Sequence, residues 1–326
     1  MRILVTGATG FLGGHLVRRL LDRGDTVIAV GRNADRLEAL AQAGADTIAH
    51  DIALAPLPPT DRVDACVHAA ALSSPWGPDQ AFQRANVDGT RHVLHSARAR
   101  GARRFVHIST PSVYFRFADQ LDVREEQPLG EPVNSYARTK RQAEGLVLGE
   151  TTLDPILLRP RGLYGAGDTA LLPRLLKAAA SRALPLLRDG AAVTDLTHVD
   201  DVVSAVEAAL DLAPMPNAGP ERRVFNISGG QPMAIREIVE AAAARTGLSI
   251  RWRPLPVSLA LGAARVSETI CRRLPHRPEP PVTAYGIGIF AFSQTLDLSA
   301  ARDTLRWSPR IDFQTGLERT FTTVSP

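Results

Sequence analysis

Short apolar runs alternate with longer amphipathic stretches through the first half of the chain. The apolar runs predict β-strands at 2–6, 26–31, 46–50, 63–69, 103–109 and 155–160. Between them, apolar residues recur at helical spacing and predict helices at 11–23, 33–43, 79–100 and 136–149. This alternation is typical of an α/β fold with a parallel sheet, because each helix carries the chain back to the start of the next strand.

The alternation loosens after Pro160, where prolines cluster and mark loops. Helices are predicted near 169–181, 200–212, 234–246 and 257–273. We therefore predict a doubly wound parallel sheet formed by residues 1–160 and a smaller C-terminal lobe formed by residues 161–326. Segments near 193–227 are expected to return to the first domain.

Composition narrows the class of protein. Hydrophobic residues make up 44% and charged residues 22%, which is ordinary for a globular protein. The net charge of +4 is spread along the chain and aromatic residues are only 5%, so we predict no nucleic-acid binding. The two cysteines lack metal or redox spacing, and Met1 leads directly into the first strand without a signal-peptide pattern. We expect a cytoplasmic protein with no metal site and no transmembrane segment.

A glycine-rich turn, Thr6-Gly7-Ala8-Thr9-Gly10-Phe11-Leu12-Gly13, joins the first strand to the first helix. In this context backbone N–H groups at a helix N-terminus can approach a pyrophosphate, and glycines leave room for it. The alternative is an ordinary strand-to-helix turn. The context favours a Rossmann-type NAD(P)-binding domain whose cofactor contacts include Gly7, Thr9, Gly10, Phe11, Leu12 and Gly13.

The end of the second strand indicates which dinucleotide is preferred. An NAD-selective site usually places a carboxylate there for the ribose 2′-hydroxyl, whereas this chain has Arg32. A guanidinium suits a 2′-phosphate, so NADP(H) is favoured over NAD(H). Asp51 follows the third strand and is expected to accept a hydrogen bond from the adenine amine. The alternatives are a surface arginine at Arg32 and a turn cap at Asp51.

A candidate catalytic pair begins the helix predicted at 136–149. Tyr136 and Lys140 are four residues apart and therefore share one helix face. An ammonium about 4 Å from a phenol, at an effective dielectric constant near 20, lowers the phenol pKa by roughly three units. Tyr136 could then exchange protons near neutral pH. The alternative is an exposed helical pair.

Two hydroxyls at the end of the fifth strand complete the candidate catalytic set. Thr110 is the first choice for holding a bound carbonyl oxygen and Ser112 the second. Hydroxyls at such positions also commonly cap turns.

Together, the glycine turn, these hydroxyls and the Tyr136–Lys140 pair resemble the extended short-chain dehydrogenase/reductase family over essentially the whole chain. The resemblance implies that Tyr136 is the acid/base, that Lys140 binds the nicotinamide ribose and lowers the Tyr136 pKa, and that Thr110 polarises the carbonyl. It also implies that Asn86 maintains a proton-relay water. Cofactor contacts are further expected at Ile52, His68, Ala69, Ala70, Pro160 and Leu163. A core histidine at His68 and a mid-helix polar residue at Asn86 are the ordinary alternatives.

Several segments narrow the resemblance to the 3β-hydroxysteroid dehydrogenase-like branch and to bacterial 2-alkyl-3-oxoalkanoate reductases. They are 108–114, 158–168, 194–202, 74–77, the Pro-rich 277–281 and 297–305. Thr110 replaces the more usual serine, which should preserve the hydrogen bond. The resemblance implies an NADP(H)-dependent ketoreductase that converts a lipophilic 2-alkyl-3-oxo acid to the 3-hydroxy acid. Substrate contacts are expected from Trp76, Thr110, Ser112, Tyr136 and Arg161.

Three other functions remain open at this point. They are a 3β-hydroxysteroid or sterol dehydrogenase, a nucleotide-sugar epimerase or dehydratase, and a non-catalytic dinucleotide sensor. The sensor is disfavoured because binding alone does not require Tyr136 and Lys140.

Partners are predicted from the helices. The resemblance implies a homodimer that pairs helices 79–100 and 136–149 as a four-helix bundle. The lipophilic helix at 257–270 is followed by Arg272 and Arg273. This helix could belong to the core of the C-terminal lobe, bind a lipophilic substrate that carries a carboxylate, or make a shallow contact with a membrane. Contact with another enzyme of the same pathway is a further expectation.

Overall fold

Parallel strands form the centre of the molecule. The computed structural model describes residues 1–59, 61–215, 219–276 and 278–322, so Arg277 of the Pro-rich segment lies outside the described residues. The strands are β1 Arg2–Thr6, β2 Thr26–Gly31, β3 Asp46–Ala49, β4 Ala65–His68, β5 Arg104–Ile108, β6 Gln120–Val123, β7 Asp154–Pro160, β8 Leu163–Tyr164, β9 Leu184–Leu186, β10 Val193–Thr194, β11 Thr197–His198, β12 Val224–Ile227, β13 Met233–Ala234, β14 Trp252–Pro254 and β15 Gln294–Leu296.

The helices cover the sheet and build the C-terminal lobe. They are α1 Phe11–Asp22, α2 Ala34–Gln42, α3 Asp79–Phe82, α4 Gly89–Ala99, α5 Ser135–Leu148, α6 Leu172–Ser181, α7 Val199–Asp211, α8 Ile235–Ala244, α9 Val257–Arg273, α10 Ala284–Ala291, α11 Ser299–Asp303 and α12 Phe313–Thr322.

The main sheet has the strand order β12-β7-β5-β4-β1-β2-β3, and all its pairs are parallel. Its strands are nearly continuous apolar runs because both faces are covered by helices. Ile3 and Val5 of β1 pack into the core on the side of α1 and α7, while Leu4 packs on the side of α4 and α5. The predicted Rossmann-type parallel sheet is confirmed, and its strand order reverses at β1, where ligands bind in such folds.

Several elements differ from the prediction. The helix predicted at 79–100 is interrupted by a π-helical turn, Gln83–Asp88, between α3 and α4. Strand β12 lies within the segment 193–227 that is expected to return to the first domain, and it pairs with β7 of the main sheet. The prediction missed α10 and α12, whose flanking prolines and short lengths hide their periodicity. The boundary between domains at residue 160 stays a prediction.

The C-terminal lobe is built on a small sheet of order β13-β10-β15-β6. Helices α9 and α10 pack on one another beside it, with Ala260 and Ala264 of α9 against Ala284 and Ile287 of α10. The lobe thereby places α10 next to the loop that follows β5. The outward faces of α4 and α5 are polar, with Arg91, His95, Arg98, Arg138 and Arg141 exposed. Homodimerisation through these helices stays a prediction.

A buried ion pair fastens α5 to the sheet. Nε and Nη2 of Arg159, on β7, donate to the two carboxylate oxygens of Glu144, on α5, at 2.8 and 2.6 Å. Both side chains are only 4% exposed. Ser109, at the end of β5, donates to the same carboxylate at 2.5 Å, and Arg159 also donates to the Tyr114 hydroxyl. The pair therefore joins α5, β5 and β7 at one point.

We expect Arg159→Met to lower the free energy of unfolding by about 3–5 kcal/mol, because it leaves the Glu144 carboxylate buried without its counter-ion. Urea unfolding followed by circular dichroism measures this. The matched control is Arg236→Met, which removes the exposed Arg236–Glu240 pair and should cost less than about 0.5 kcal/mol. Similar small costs for both variants would show that the buried pair does not hold α5.

Candidate functional site

The glycine turn brings the start of α1 close to the ends of β1 and β4. Gly10 precedes α1 and supplies no side-chain cap to its N-terminus. Gly7 has φ +73°, and a Cβ there would lie 2.6 Å from the Ala70 nitrogen. A Cβ on Gly13 would overlap the Gly7 carbonyl oxygen. The turn can therefore be this tight only with glycine, and it leaves an uncapped helix N-terminus that fits a pyrophosphate.

Two arginines lie beside this turn at the end of β2. The Arg32 side chain is 75% exposed, and its Nη1 lies 3.5 Å from Oδ2 of Asp51. Arg36, which the sequence analysis missed, donates from Nη1 to the Thr9 carbonyl at 2.7 Å. Its position one helical turn after Arg32 could have identified it. The edge of the turn thus carries two guanidinium groups.

The adenine-side residues are partly engaged in local structure. Oδ1 of Asp51 accepts a hydrogen bond from the Ala53 nitrogen at 3.0 Å, which is the turn cap considered as the alternative. Ile52 is buried, and its carbonyl accepts from His92 Nδ1 at 2.8 Å. Pro160 is buried at the end of β7, and Leu163 is half-buried. Contacts of these residues with a cofactor stay predictions.

His68 lies in the core. Its Nδ1 is 2.7 Å from the Thr6 hydroxyl and its Nε2 is 2.9 Å from the Thr90 hydroxyl. The side chain is fully buried, and burial lowers the pKa of His68 to about 3, so the ring is neutral. His68 is therefore the core histidine considered as the alternative. Only its backbone is left to contact a cofactor. Ala69 and Ala70, which follow, are half-buried beside Gly7.

Asn86 lies in the π-helical turn, a feature often found at functional sites. Its Oδ1 accepts from the Leu72 nitrogen at 2.7 Å, and its Nδ2 donates to the Thr139 hydroxyl at 3.0 Å. The amide therefore fastens the loop after β4 to α5. Its role in holding a water stays a prediction.

Lys140 points from α5 to the end of β5. Its Nζ donates to the Ile108 carbonyl at 2.7 Å and lies 3.1 Å from Nε2 of His107. Burial lowers the pKa of Lys140 to about 8. Burial and the charge of Lys140 lower the pKa of His107 well below its usual value. The ammonium is therefore held by a carbonyl and a neutral imidazole.

The Tyr136 hydroxyl is hydrogen-bonded to Ser73 and Thr110. Burial raises the pKa of Tyr136, and the hydrogen bonds with Ser73 and Thr110 offset this only in part. The prediction that Lys140 lowers the Tyr136 pKa toward neutrality is wrong for this structure, because the ammonium is directed at the Ile108 carbonyl. Tyr136 is therefore a protonated phenol at neutral pH.

A chain of hydroxyl groups continues from Tyr136 into the C-terminal lobe. Thr110 donates to Ser112 at 3.0 Å, and the Ser112 oxygen lies 2.7 Å from the Tyr285 hydroxyl on α10. Thr110 also accepts from the Ser112 nitrogen at 3.1 Å, which is the turn cap considered as the alternative, and its contact with a bound carbonyl stays a prediction. Tyr285 and Ser73 were missed. Nothing in the sequence near Tyr285 indicates that α10 reaches the site.

Arg161 is a buried cation held by neutral groups. Its Nη1 donates to Gln294 Oε1 at 2.6 Å, and its Nη2 donates to the Thr194 hydroxyl at 2.8 Å. Burial lowers the pKa of Arg161, and the Tyr285 hydroxyl is the first group that counteracts this. In the described ranges, no carboxylate forms an ion pair with Arg161. The charge of Asp195 also counteracts the effect of burial, so the guanidinium beside the far end of the hydroxyl chain is partly compensated.

Trp76 borders a cavity of about 440 Å³ next to the N-terminus of α5. Phe82, Asn134, Ser135 and Arg272 also line it. Tyr136 is not among the residues that line this cavity. Across the described part of the chain, no cluster of three or more His, Cys, Asp or Glu residues could hold a metal ion.

Comparison with known proteins agrees with this geometry. Residues 3–228 match the model of the NAD dependent epimerase/dehydratase family. The chain is 33% identical to a 2-alkyl-3-oxoalkanoate reductase of Stenotrophomonas maltophilia, over 98% of each chain. It is 32% identical to a 4-hydroxy-2-methyl-3-oxo-4-farnesyl-3,4-dihydroquinoline-1-oxide ketoreductase of Stigmatella aurantiaca, over 98% of this chain and 95% of the relative.

A solved structure is similar along its whole length. It is the UDP-glucuronic acid 4-epimerase of Bacillus cereus in complex with UDP-glucuronic acid and NAD, with a TM-score of 0.74 and 25% identity. The superposition covers 99% of this chain and 98% of that one. The chain therefore belongs to the NAD dependent epimerase/dehydratase family, the extended short-chain dehydrogenases/reductases, and is an NAD(P)-dependent oxidoreductase.

Proposed function

We propose that this enzyme reduces a lipophilic 2-alkyl-3-oxo acid to the 3-hydroxy acid with NADPH. The observation that carries the proposal is the protonated Tyr136 hydroxyl, which is hydrogen-bonded to Ser73 and Thr110. A phenol that keeps its proton at neutral pH is in the form that a ketone reduction consumes. The similarity to the Stenotrophomonas maltophilia and Stigmatella aurantiaca reductases supports this direction.

A bound NADPH supplies the hydride that reduces the carbonyl carbon. The protein's part is to place the ketone oxygen at Tyr136, which donates its proton to that oxygen. Thr110, whose hydroxyl donates to Ser112 in this structure, turns that proton to the same oxygen when the ketone binds and so stabilises the charge that develops on it. Lys140, positively charged below about pH 8, is positioned at the end of β5 for the nicotinamide ribose.

The proton that Tyr136 loses has a route back. Ser73 is exposed and is hydrogen-bonded to the Tyr136 hydroxyl. A hydroxyl can accept one proton while it donates another. Ser73 therefore connects the buried phenol to solvent and restores its proton after each turnover.

Arg161 supports an acid substrate. Its guanidinium is buried, and the charge of Asp195 offsets the effect of burial on its pKa only in part. A carboxylate ligand would add charge-assisted hydrogen bonds to it. Tyr285, whose hydroxyl lies 2.7 Å from the Ser112 oxygen, is near Arg161 and places this cation on the side of the site where the hydroxyl chain ends.

The choice of NADPH rests on Arg32 and Arg36. Both guanidinium groups are exposed at the end of β2, next to the glycine turn. A 2′-phosphate carries charge that they can neutralise, whereas a 2′-hydroxyl does not.

We expect Tyr136→Phe to lower kcat for reduction of a 2-alkyl-3-oxo acid by about 10²–10⁴-fold, because the variant has no proton to donate. NADPH absorbance in steady state measures kcat, and NADPH fluorescence titration should show that binding is retained. Turnover close to that of the unaltered enzyme would contradict the proposal. So would turnover of a UDP-sugar without turnover of any 3-oxo acid.

We expect Arg161→Met to raise KM for the 3-oxo acid by roughly 10–100-fold, since a charge-assisted hydrogen-bond pair is lost. The comparison substrate is the ketone of the same chain length without the carboxylate. Its kcat/KM should change little in the variant. An equal loss for both substrates would assign Arg161 a structural role instead.

We expect Arg32→Ala to weaken NADPH binding by about tenfold and to leave NADH binding unchanged, because a single phosphate contact is removed. Titration of cofactor fluorescence measures both. Arg98→Ala is the matched control, since Arg98, near the C-terminal end of α4, is an exposed arginine that pairs with Glu150. Equal effects on both cofactors would contradict a contact with the 2′-phosphate.

A further inference from the structure

Tyr285 supplies the only polar side chain of α10, whose sequence is Ala-Tyr-Gly-Ile-Gly-Ile-Phe-Ala. Within the described ranges, no helix has the length and apolarity to cross a membrane. Helix α10 packs into the C-terminal lobe, where Ala284, Ile287 and Ala291 are buried. The Tyr285 hydroxyl lies 2.7 Å from the Ser112 oxygen. The single polar group of an apolar helix thus lies at the candidate active site.

Two hydrogen bonds hold the turn of α10 that carries Tyr285. The Thr283 hydroxyl accepts from the Gly286 nitrogen at 2.9 Å, and a carboxylate oxygen of Glu268 on α9 accepts from the Ala284 nitrogen at 2.7 Å. N–H groups at a helix start have no partner within the helix, so these contacts fix the first turn. The position of the Tyr285 backbone therefore does not depend on its hydroxyl.

The Tyr285 ring is held by packing against the segment after β5. It meets the Phe115 ring edge-on, with 5.2 Å between the centroids and 79° between the planes. A Cβ on Gly288 would lie 2.8 Å from the Phe115 ring, so glycine at this position lets α10 come this close. A phenylalanine in place of Tyr285 would keep these contacts and lose only the hydroxyl.

The contacts of Thr110 assign the protons of the hydroxyl chain before a substrate binds. A hydroxyl has one proton to donate and two lone pairs that accept. The Thr110 proton goes to Ser112 at 3.0 Å, and one lone pair accepts from the Ser112 nitrogen at 3.1 Å. In its hydrogen bond with Tyr136, Thr110 is therefore the acceptor. Donation thus runs from Tyr136 through Thr110 to Ser112.

Reduction of a ketone requires the opposite direction of donation. Tyr136 then gives its proton to the ketone oxygen, and Thr110 turns its proton from Ser112 to the same oxygen. Thr110 loses the hydrogen bond from Tyr136, and Ser112 loses the one from Thr110. Both side chains are buried, and a buried polar group without its hydrogen bond costs free energy. Both are satisfied again when Ser112 donates to Thr110 and Tyr285 donates to Ser112.

We propose that Tyr285 is a positioning residue that acts through Ser112 to turn the Thr110 hydroxyl toward the ketone. The inference rests on the proposed ketone reduction, but not on a carboxylate in the substrate. Donation from Tyr285 strengthens each following hydrogen bond, because hydroxyls in a chain polarise one another. Within the chain only hydroxyl groups rotate, and the single proton that is transferred is the one that Tyr136 gives to the ketone oxygen.

The position of Arg161 favours Tyr285 as a donor. Burial lowers the pKa of Arg161, and negative charge on Tyr285 counteracts this, so the two groups lie within electrostatic range. A cation attracts the oxygen of a nearby hydroxyl and repels its proton. The Tyr285 proton is therefore directed away from Arg161, and the Ser112 oxygen, 2.7 Å away, can accept it.

The test is Tyr285→Phe in the purified full chain. We expect kcat for ketone reduction to fall about fivefold to tenfold, because one hydrogen bond behind the oxygen-binding hydroxyl is lost. KM should change little, since this bond strengthens only as charge develops on the ketone oxygen. The matched control is Tyr164→Phe, which removes a tyrosine hydroxyl outside the chain, 3.5 Å from the Phe313 carbonyl oxygen, and should leave kcat unchanged.

A double-mutant cycle with Ser112→Ala tests whether Tyr285 acts through Ser112. The double variant should be no slower than the slower single variant, because either change interrupts the same chain. Independent effects would instead multiply, to about 25–100-fold, and would overturn the proposal. An unchanged kcat in Tyr285→Phe would also overturn it, as would a loss confined to KM, which would make Tyr285 a substrate contact.

Measuring Tyr136→Phe with the same ketone separates this inference from the proposed reaction. Full turnover by Tyr136→Phe would contradict the reaction and overturn the inference with it. An inactive Tyr136→Phe beside an unaffected Tyr285→Phe would overturn only the role of Tyr285. Thermal unfolding and NADPH titration check that each variant is folded and binds its cofactor.

Discussion

The buried pair between Arg159 and Glu144 is the contact on which the site depends. Helix α5 presents Tyr136, Lys140 and Glu144 at intervals of four residues, so fixing one of them fixes the rotation of all three. Glu144 is held by two hydrogen bonds from Arg159 on β7 and one from Ser109 at the end of β5. This buried salt bridge thus determines where the Tyr136 phenol and the Lys140 ammonium lie relative to the strand ends.

The way α5 is fixed also decides the protonation of the site. It brings the Lys140 ammonium to the Ile108 carbonyl rather than to the phenol. Burial then raises the pKa of Tyr136 without an opposing cation, and the resting enzyme holds a proton donor. The phenol is therefore protonated before any substrate binds, with Ser73 and Thr110 as its hydrogen-bond partners.

Sequence patterns predicted the features that depend on residues close together in the chain. The strands of the main sheet, the glycine turn and the Tyr136–Lys140 spacing are local, and the structure has each of these elements. The partnership of Ser112 with Tyr285 joins residues 173 apart in sequence, so no local pattern could indicate it. The prediction for the Tyr136 pKa is wrong because the Lys140 ammonium donates to the backbone carbonyl of Ile108. Every residue has such a carbonyl, so the sequence does not indicate this contact. Likewise, periodicity placed a helix at 257–273 but could not say that its large side chains face outward.

Arg161 is the buried cation at the far end of the hydroxyl chain. Its guanidinium donates to Gln294 and Thr194, and the charge of Asp195 counteracts the effect of burial on its pKa. Neutral acceptors and a nearby carboxylate thus hold the cation in place before any substrate binds. A ligand carboxylate would add charge-assisted hydrogen bonds to a group that is already positioned, so the protein would not have to rearrange to bind an acid.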